Sequence, residues 1–229
     1  MDSKIRINKY LADNKYSTRR GADELISSGK VFVNGKVAKL GQLISSEDKV
    51  EVKGNKKGFI YLALNKKRGV VTHTAGDGDF DIKDVVPIKG VFPVGRLDKD
   101  SDGLIILTND GRIIERLLSP DYYHEKEYLV TTKNKLRANF KQKMEAGVQI
   151  DRDKTRPCEV EILGEKKFKV VLTEGKKHQI RRMCTALFQE VETLTRVRVM
   201  NIKLGKIAPN SYRKIEGKEL EIFLKSLDL

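Results

Sequence analysis

The sequence predicts an α+β protein of two domains: a small unit of helices and a hairpin, then a larger domain on a mixed, mostly antiparallel sheet. Three observations carry this. The chain has 229 residues, enough for two cores. Short apolar stretches alternate with period two at hairpin spacing, and helix-period stretches are scattered between them. Gly54-Asn55-Lys56-Lys57-Gly58 reads as a linker. It divides residues 1–57 from residues 58–229.

The elements follow in order. Ile7, Tyr10 and Leu11 recur at helical spacing. Ser17 stands where an N-cap would, ahead of Ala22, Leu25 and Ile26, and Gly29 stops that second helix. Val31 and Val33 alternate into Asn34-Gly35, a two-residue hairpin signal, and Val37 returns. Val50 and Val52 make a last short strand. Past the linker, Val91, Phe92 and Val94 read as one strand and Leu104-Ile105-Ile106-Leu107 as another. Ile113, Ile114, Leu117 and Leu118 predict a short helix; Leu136, Phe140 and Met144 predict a second. Phe168, Val170 and Leu172 alternate as a strand. Ile180, Met183, Cys184 and Leu187 line one helix face, and Leu220, Phe223, Leu224 and Leu227 form a terminal helix. The sequence shows neither an internal repeat nor low complexity.

Composition narrows the function. Forty-six Lys+Arg against 32 Asp+Glu give a net charge of +14, which favours a polyanionic partner. Residues 1–60 hold 13 basic and 7 acidic side chains. Lys9 is among them. Arg19 and Arg20 open the second helix, where backbone N–H groups also favour phosphate. Cys158 and Cys184 make no disulfide or zinc framework. His73, His124 and His178 lack metal-ligand spacing, so a histidine-based nuclease is unattractive and no metal is expected. Met1-Asp2-Ser3-Lys4 lacks the apolar stretch of a signal peptide, and no run approaches a membrane span. A cytoplasmic protein with no membrane partner is expected.

The most informative stretch is Gly95-Arg96-Leu97-Asp98-Lys99-Asp100-Ser101-Asp102-Gly103-Leu104, an acid cluster in a basic chain. Asp98, Asp100, Asp102 and Gly103 match the opening of a helix-loop-helix calcium loop. The twelfth position is Asn109, which cannot grip the ion as a bidentate Glu does. The flanking runs also read as strands, not helices. The remaining reading is a catalytic aspartate on a turn between strands.

Gly95-Arg96-Leu97-Asp98, with Asp100-Ser101 and Gly103-Leu104, resembles the signature of bacterial ribosomal RNA pseudouridine synthases. Glu125-Lys126-Glu127-Tyr128-Leu129-Val130 and Gln179-Ile180-Arg181-Arg182-Met183 follow in the family's order. Val91-Phe92-Pro93 and Arg198-Val199-Met200-Asn201 look like the F-type large-subunit enzymes. Lys9-Tyr10-Leu11, Ser17-x-Arg19-Arg20 and Gly29-x-Val31-x-Val33-Asn34-Gly35 resemble the RNA-binding domain named after small-subunit ribosomal protein S-four.

The resemblance implies an isomerase that breaks the base–ribose C–N bond and makes a C–C bond at the same carbon. No redox or phosphoryl transfer occurs, so neither cofactor nor metal is required. Asp98 is the implied nucleophile. Arg181 is implied to pair with it, keeping it ionised and oriented, and Tyr128 to stack on the extruded uracil. Arg96 is implied to fill the vacated space, and Arg182 to meet phosphate. Asp100 and Asp102 are expected to shape the turn or meet solvent. The implied partner is ribosomal RNA, 23S ahead of 16S, with transfer RNA as a further candidate, and the chain is expected to be a monomer. A non-catalytic RNA-binding assembly factor is the alternative, and a base-excising glycosylase a third reading.

Overall fold

The computed structural model describes residues 4–14, 16–53, 58–72 and 80–229. His73 and linker residues 54–57 lie outside them. The chain divides into two compact units, residues 1–60 with 108–114, and residues 61–107 with 115–229.

In the first unit, strand β1 (Ile5–Arg6) leads into helix α1 (Ile7–Asp13), followed by α2 (Arg19–Ser27), β2 (Val31–Val33), β3 (Lys36–Val37), β4 (Leu43–Ile44) and β5 (Val50–Val52). Each helix buries an i, i+4 pair, Ile7 with Leu11 and Ala22 with Ile26. These pack on Val31, Val33, Ala38 and Ile44. The N-cap of α2 is Thr18, one residue past the expected Ser17. Thr18 is extended, and its Oγ1 accepts from the Gly21 amide at 3.0 Å. Asn34 (φ 49°) and Gly35 (φ 77°) both take the left-handed region that a tight hairpin turn needs. The Asn34 side chain accepts from Lys49 N at 2.9 Å and donates to Asp48 at 2.7 Å, tying the turn to the approach of β5. The sheet order is β3-β2-β5, and β1 pairs with β4.

The elements that follow are β6 (Tyr61–Lys66), α3 (Ile82–Val85), β7 (Phe92–Val94), β8 (Asp102–Thr108), α4 (Ile113–Leu118), β9 (Lys126–Thr132), α5 (Phe140–Glu145), β10 (Gln149–Ile150), β11 (Asp153–Lys154), β12 (Glu159–Gly164), β13 (Lys167–Leu172), α6 (Gln179–Ala186), β14 (Val191–Val199), β15 (Ile202–Lys203), β16 (Tyr212–Lys214) and α7 (Gly217–Lys225). The main sheet runs β12-β13-β9-β14-β8-β6-β16, with β7 beside β8 and β15 beside β14. β12–β13, β13–β9, β9–β14, β14–β15 and β6–β16 pair antiparallel, while β8 and β14 run parallel. Helices α5 and α6 cover this sheet with Phe140, Met144, Ile180, Met183 and Cys184. Phe140 meets Phe168 edge-on at 4.9 Å between centroids. Leu136, expected inside α5, precedes it; its amide donates to Glu165 O at 2.7 Å while the side chain still joins the core. Likewise, Leu227 follows α7.

The parallel pair positions the acidic turn. Gly103 of β8 sits opposite Arg196 of β14, Arg196 opposite Tyr128 of β9, and Tyr128 opposite Val170 of β13. One row of the sheet therefore joins the end of the turn to the Tyr128 strand. Gly103 has φ +104°, and a Cβ there would lie 2.3 Å from Arg196 O. Only glycine fits this close approach.

Lys66 ends β6 wholly buried. Its Nζ donates to Val70 O at 2.8 Å and to Lys67 O at 3.2 Å. Burial pushes its pKa down to about 8, against the pull of Asp102, Asp98 and Asp100. The folded value lies below the ordinary 10.5. Between the two the unfolded chain binds more protons, so this group adds stability as pH rises through that window. Urea unfolding of wild type and Lys66→Met at about pH 7.5 and about pH 9.5 checks this. Wild type is expected to gain on the variant at the higher pH; a constant difference would contradict the burial argument.

Candidate active site

The acids at 98–102 lie between strands β7 and β8, as the apolar flanks predict and as a helix-loop-helix calcium site does not. Four residues, Thr72, Gly69, Ser101 and Arg181, hold this turn by its backbone. Thr72 Oγ1 donates to Leu97 O at 2.7 Å and accepts from Leu97 N at 3.2 Å. Gly69 N donates to Lys99 O at 2.8 Å, and Ser101 N to Asp98 O at 3.0 Å. Arg181 reaches across from α6 and donates through Nη2 to Asp100 O at 2.9 Å. Its other terminal nitrogen meets Val191 O at 3.4 Å.

Asp98 projects from this turn into a cleft of about 370 Å³, which Tyr128, His178 and Arg196 also line. His178 approaches its carboxylate, with Nε2 3.5 Å from Oδ1. Among the described residues Arg181 makes no ion pair with Asp98. Its guanidinium is engaged by the two carbonyls, so it orients the turn instead of touching the carboxylate. Asp100 is exposed, with Arg68 at 4.0 Å. Asp102 turns inward: its Oδ1 is buried and has no hydrogen-bond partner among the described residues.

His178 precedes α6 in the left-handed region, φ 51°. The loop before it is pinned from behind. Gln179, buried, donates to Glu174 Oε1 at 2.7 Å and accepts from Lys176 N at 2.8 Å. Glu174 Oε1 also accepts from Arg156 N at 3.0 Å. The Gln179-Ile180-Arg181 segment thus shapes the cleft wall with its first residue and holds the acidic turn with its third.

Tyr128 forms the wall supplied by β9. Beside it Arg196, only 5% exposed, donates from Nε to Leu104 O at 2.7 Å. Lys126 also lines the cleft; burial, with Arg196 nearby, pushes it down to about 8. Arg198, two residues on, is drawn away from the cleft by Glu125 at 2.8 Å and Glu127 at 3.0 Å. Arg196, Lys126, Thr72 and His178 are site residues that sequence reasoning missed. Alternation along β14 was the available signal for Arg196, though it could not choose between Arg196 and Arg198.

The other expected residues fall as follows. Arg96 is exposed on the cleft rim. Arg182 forms an ion pair with Asp151 and donates to Lys177 O at 3.4 Å, so its charge is partly occupied. Lys9 and Arg19 are exposed on α1 and α2; Arg20 belongs to α2, and its side chain lies outside the description. Cys158 and Cys184 are free thiols that burial pushes up to about 12, which makes them poor nucleophiles. Among the described residues no group of three or more His, Cys, Asp or Glu is placed to hold a metal. Nor is any helix there long and apolar enough to cross a membrane.

Comparison with known proteins agrees with this architecture. Residues 60–186 match the RNA pseudouridylate synthase family, and residues 5–50 match the S4 domain. The dual-specificity RNA pseudouridine synthase RluF of Escherichia coli K12 is 39% identical, over 99% of this chain and 81% of that protein. The ribosomal small subunit pseudouridine synthase A of Pasteurella multocida is 34% identical, over 96% of this chain and all of that one. A crystal structure of a pseudouridylate synthase superposes with a TM-score of 0.70 at 29% identity, covering 97% of this chain and 99% of the other. The chain belongs to the RNA pseudouridylate synthase family: it is an enzyme that forms pseudouridine in RNA, with an S4 domain ahead of the synthase domain.

Proposed function

We propose that the chain isomerises single uridines of ribosomal RNA, with Asp98 as nucleophile and the target base flipped into the cleft. The observation that carries this is Asp98 itself, an acid on a turn held by its backbone, facing a cleft walled by Tyr128. The carboxylate attacks the nucleoside and the base–ribose C–N bond breaks. The base then rotates in the cleft and forms the C–C bond, losing the hydrogen from that carbon as a proton. The bond to Asp98 breaks to return the carboxylate, and the ring nitrogen freed from the ribose takes up a proton. Tyr128 holds the base by stacking during the rotation. His178, 3.5 Å from the Asp98 carboxylate, helps to orient it. Arg181 acts one step removed, fixing the turn through Asp100 O.

Flipping costs a few kcal/mol, least for a base in a loop or a mispaired region. That favours a target in such an element. Large-subunit RNA is the leading substrate, on the F-type likeness of Val91-Phe92-Pro93 and Arg198–Asn201 and the 39% identity to RluF. Transfer RNA is the second to assay. Residues 1–57 act as the RNA-holding module and residues 58–229 as the catalytic one, in a chain that works as a monomer.

Asp98→Asn removes the nucleophile and leaves the phosphate contacts. Isomerisation should vanish while RNA affinity stays near wild type. Pseudouridine mapping on ribosomal RNA checks this, and turnover within about tenfold of wild type would remove Asp98 from the role.

Arg181→Met should lower the single-turnover rate by about a hundredfold, because the turn loses its anchor and a shift near 1 Å misaligns the carboxylate. Arg182→Met should cost far less, since Arg182 contacts Asp151 and Lys177 O. Equal losses, or a larger one for Arg182, would exchange the two assignments.

Lys9→Ala combined with Arg19→Ala should weaken RNA binding at low salt. Each lost phosphate contact should flatten the log–log salt dependence by about 0.7 to 0.9. An unchanged slope would mean these residues do not meet phosphate.

A further inference from the structure

A short segment along the cleft rim carries an exposed aromatic ring with a guanidinium laid over it. Leu118, 41% exposed, lines the cleft. A single 3₁₀ turn, Pro120–Tyr122, follows it and ends at Tyr123, whose backbone is left-handed at φ 54°. Tyr123 is 60% exposed, so its ring adds little to any core. Arg156 Cζ stands 4.2 Å from the centre of that ring.

The arginine is held, not merely nearby. Its Nη1 donates to Pro120 O at 2.7 Å, on the same turn as the tyrosine. Its amide donates to Glu174 Oε1 at 3.0 Å, and Glu174 lines the cleft. The Tyr123–Arg156 pair is therefore tied to the cleft lining through Glu174, and its turn follows Leu118 of that lining by two residues. Among the described residues no carboxylate forms an ion pair with Arg156, so its charge is not neutralised as that of Arg182 is. Arg96 and Lys177, both exposed, add positive charge around the same cleft.

An aromatic plane paired with an uncompensated guanidinium suits one ligand chemistry above others. Nucleobases present a π-face to the ring, and the phosphates between them meet the cation. We propose that Tyr123 and Arg156 form a stacking subsite for an unpaired nucleobase flanking the uridine held in the cleft. This rests on the RNA reading of the cleft and adds a contact outside it. The subsite grips the strand once its target has left the stack, and favours substrates in which a neighbouring base is also unpaired.

The chain contains no tryptophan, which makes the test direct. Tyr123→Trp places a sole tryptophan in the subsite, and a stacked base should quench its emission. Phe188→Trp is the control: Phe188 is also exposed, with Arg137 4.7 Å from its ring centre, but none of residues 184–190 lines the cleft, whereas Leu118 and Glu174 tie Tyr123 and Arg156 to it. Each variant is titrated with a ribosomal RNA transcript and with heparin, a polyanion without bases, with binding followed separately by anisotropy. The proposal expects RNA to quench the Tyr123→Trp signal, heparin to leave it unchanged, and neither to alter Phe188→Trp. It also expects Tyr123→Ala to weaken RNA binding about tenfold, while Tyr123→Phe keeps wild-type affinity. Bound RNA without quenching, equal responses to RNA and heparin, or equal responses at both positions would overturn it. Pseudouridine formation by the wild-type protein is measured in parallel. Its presence without quenching defeats the subsite alone; its absence defeats the reading of the cleft.

Discussion

The site depends on how the turn from Leu97 to Asp102 is held. Thr72, Gly69 and Arg181 all bond to its backbone, so its shape does not rely on the acidic side chains it carries. The Asp98 carboxylate is therefore left to face the cleft, where His178 Nε2 stands 3.5 Å away. The far end of the turn enters β8 where that strand pairs in parallel with β14. There Gly103 lies against Arg196, and Arg196 against Tyr128. Chemistry and fold meet on this row: a Cβ at Gly103 would press on the strand that bears the cleft wall.

The charges around this turn explain an acid cluster in a basic chain. Asp102 faces inward, Lys66 is buried on carbonyl oxygens, and Arg196 is buried on Leu104 O. Buried charge of one sign is costly, and opposed signs nearby lower the cost. Asp102 thus belongs to the foundation of the turn, Asp100 to its solvent edge, and Asp98 to the cleft. Three acids at alternate positions have three different surroundings.

Much of this could be read from residue order, because the relevant signals are local. Asn34-Gly35 specifies its hairpin since both residues tolerate positive φ. Asp98 and Tyr128 were identifiable from short motifs that do enter one cleft. The strand pair β1 with β4 was invisible, because two residues each give no alternation to detect. Thr18 and Ser17 are chemically equivalent as caps, and only backbone geometry distinguishes them. His178 approaches Asp98 because its backbone turns left-handed before α6, which a lone histidine does not announce. Arg196 and Arg198 alternate along one strand, but a register shift between them sends one to Leu104 O and the other to Glu125 and Glu127. The polar side of α6 was legible for Arg181; its partner, a carbonyl in place of the carboxylate, was not.

The central claim is that this cleft exchanges a C–N bond for a C–C bond without losing the base. The new bond displaces the hydrogen on the base carbon that receives it. Purified protein should therefore release tritium from ribosomal RNA transcripts labelled at that carbon of uridine. Release should match, one for one, the pseudouridine that appears, with no strand scission at abasic sites. Tritium retained in the RNA, or abasic sites in place of pseudouridine, would contradict the account.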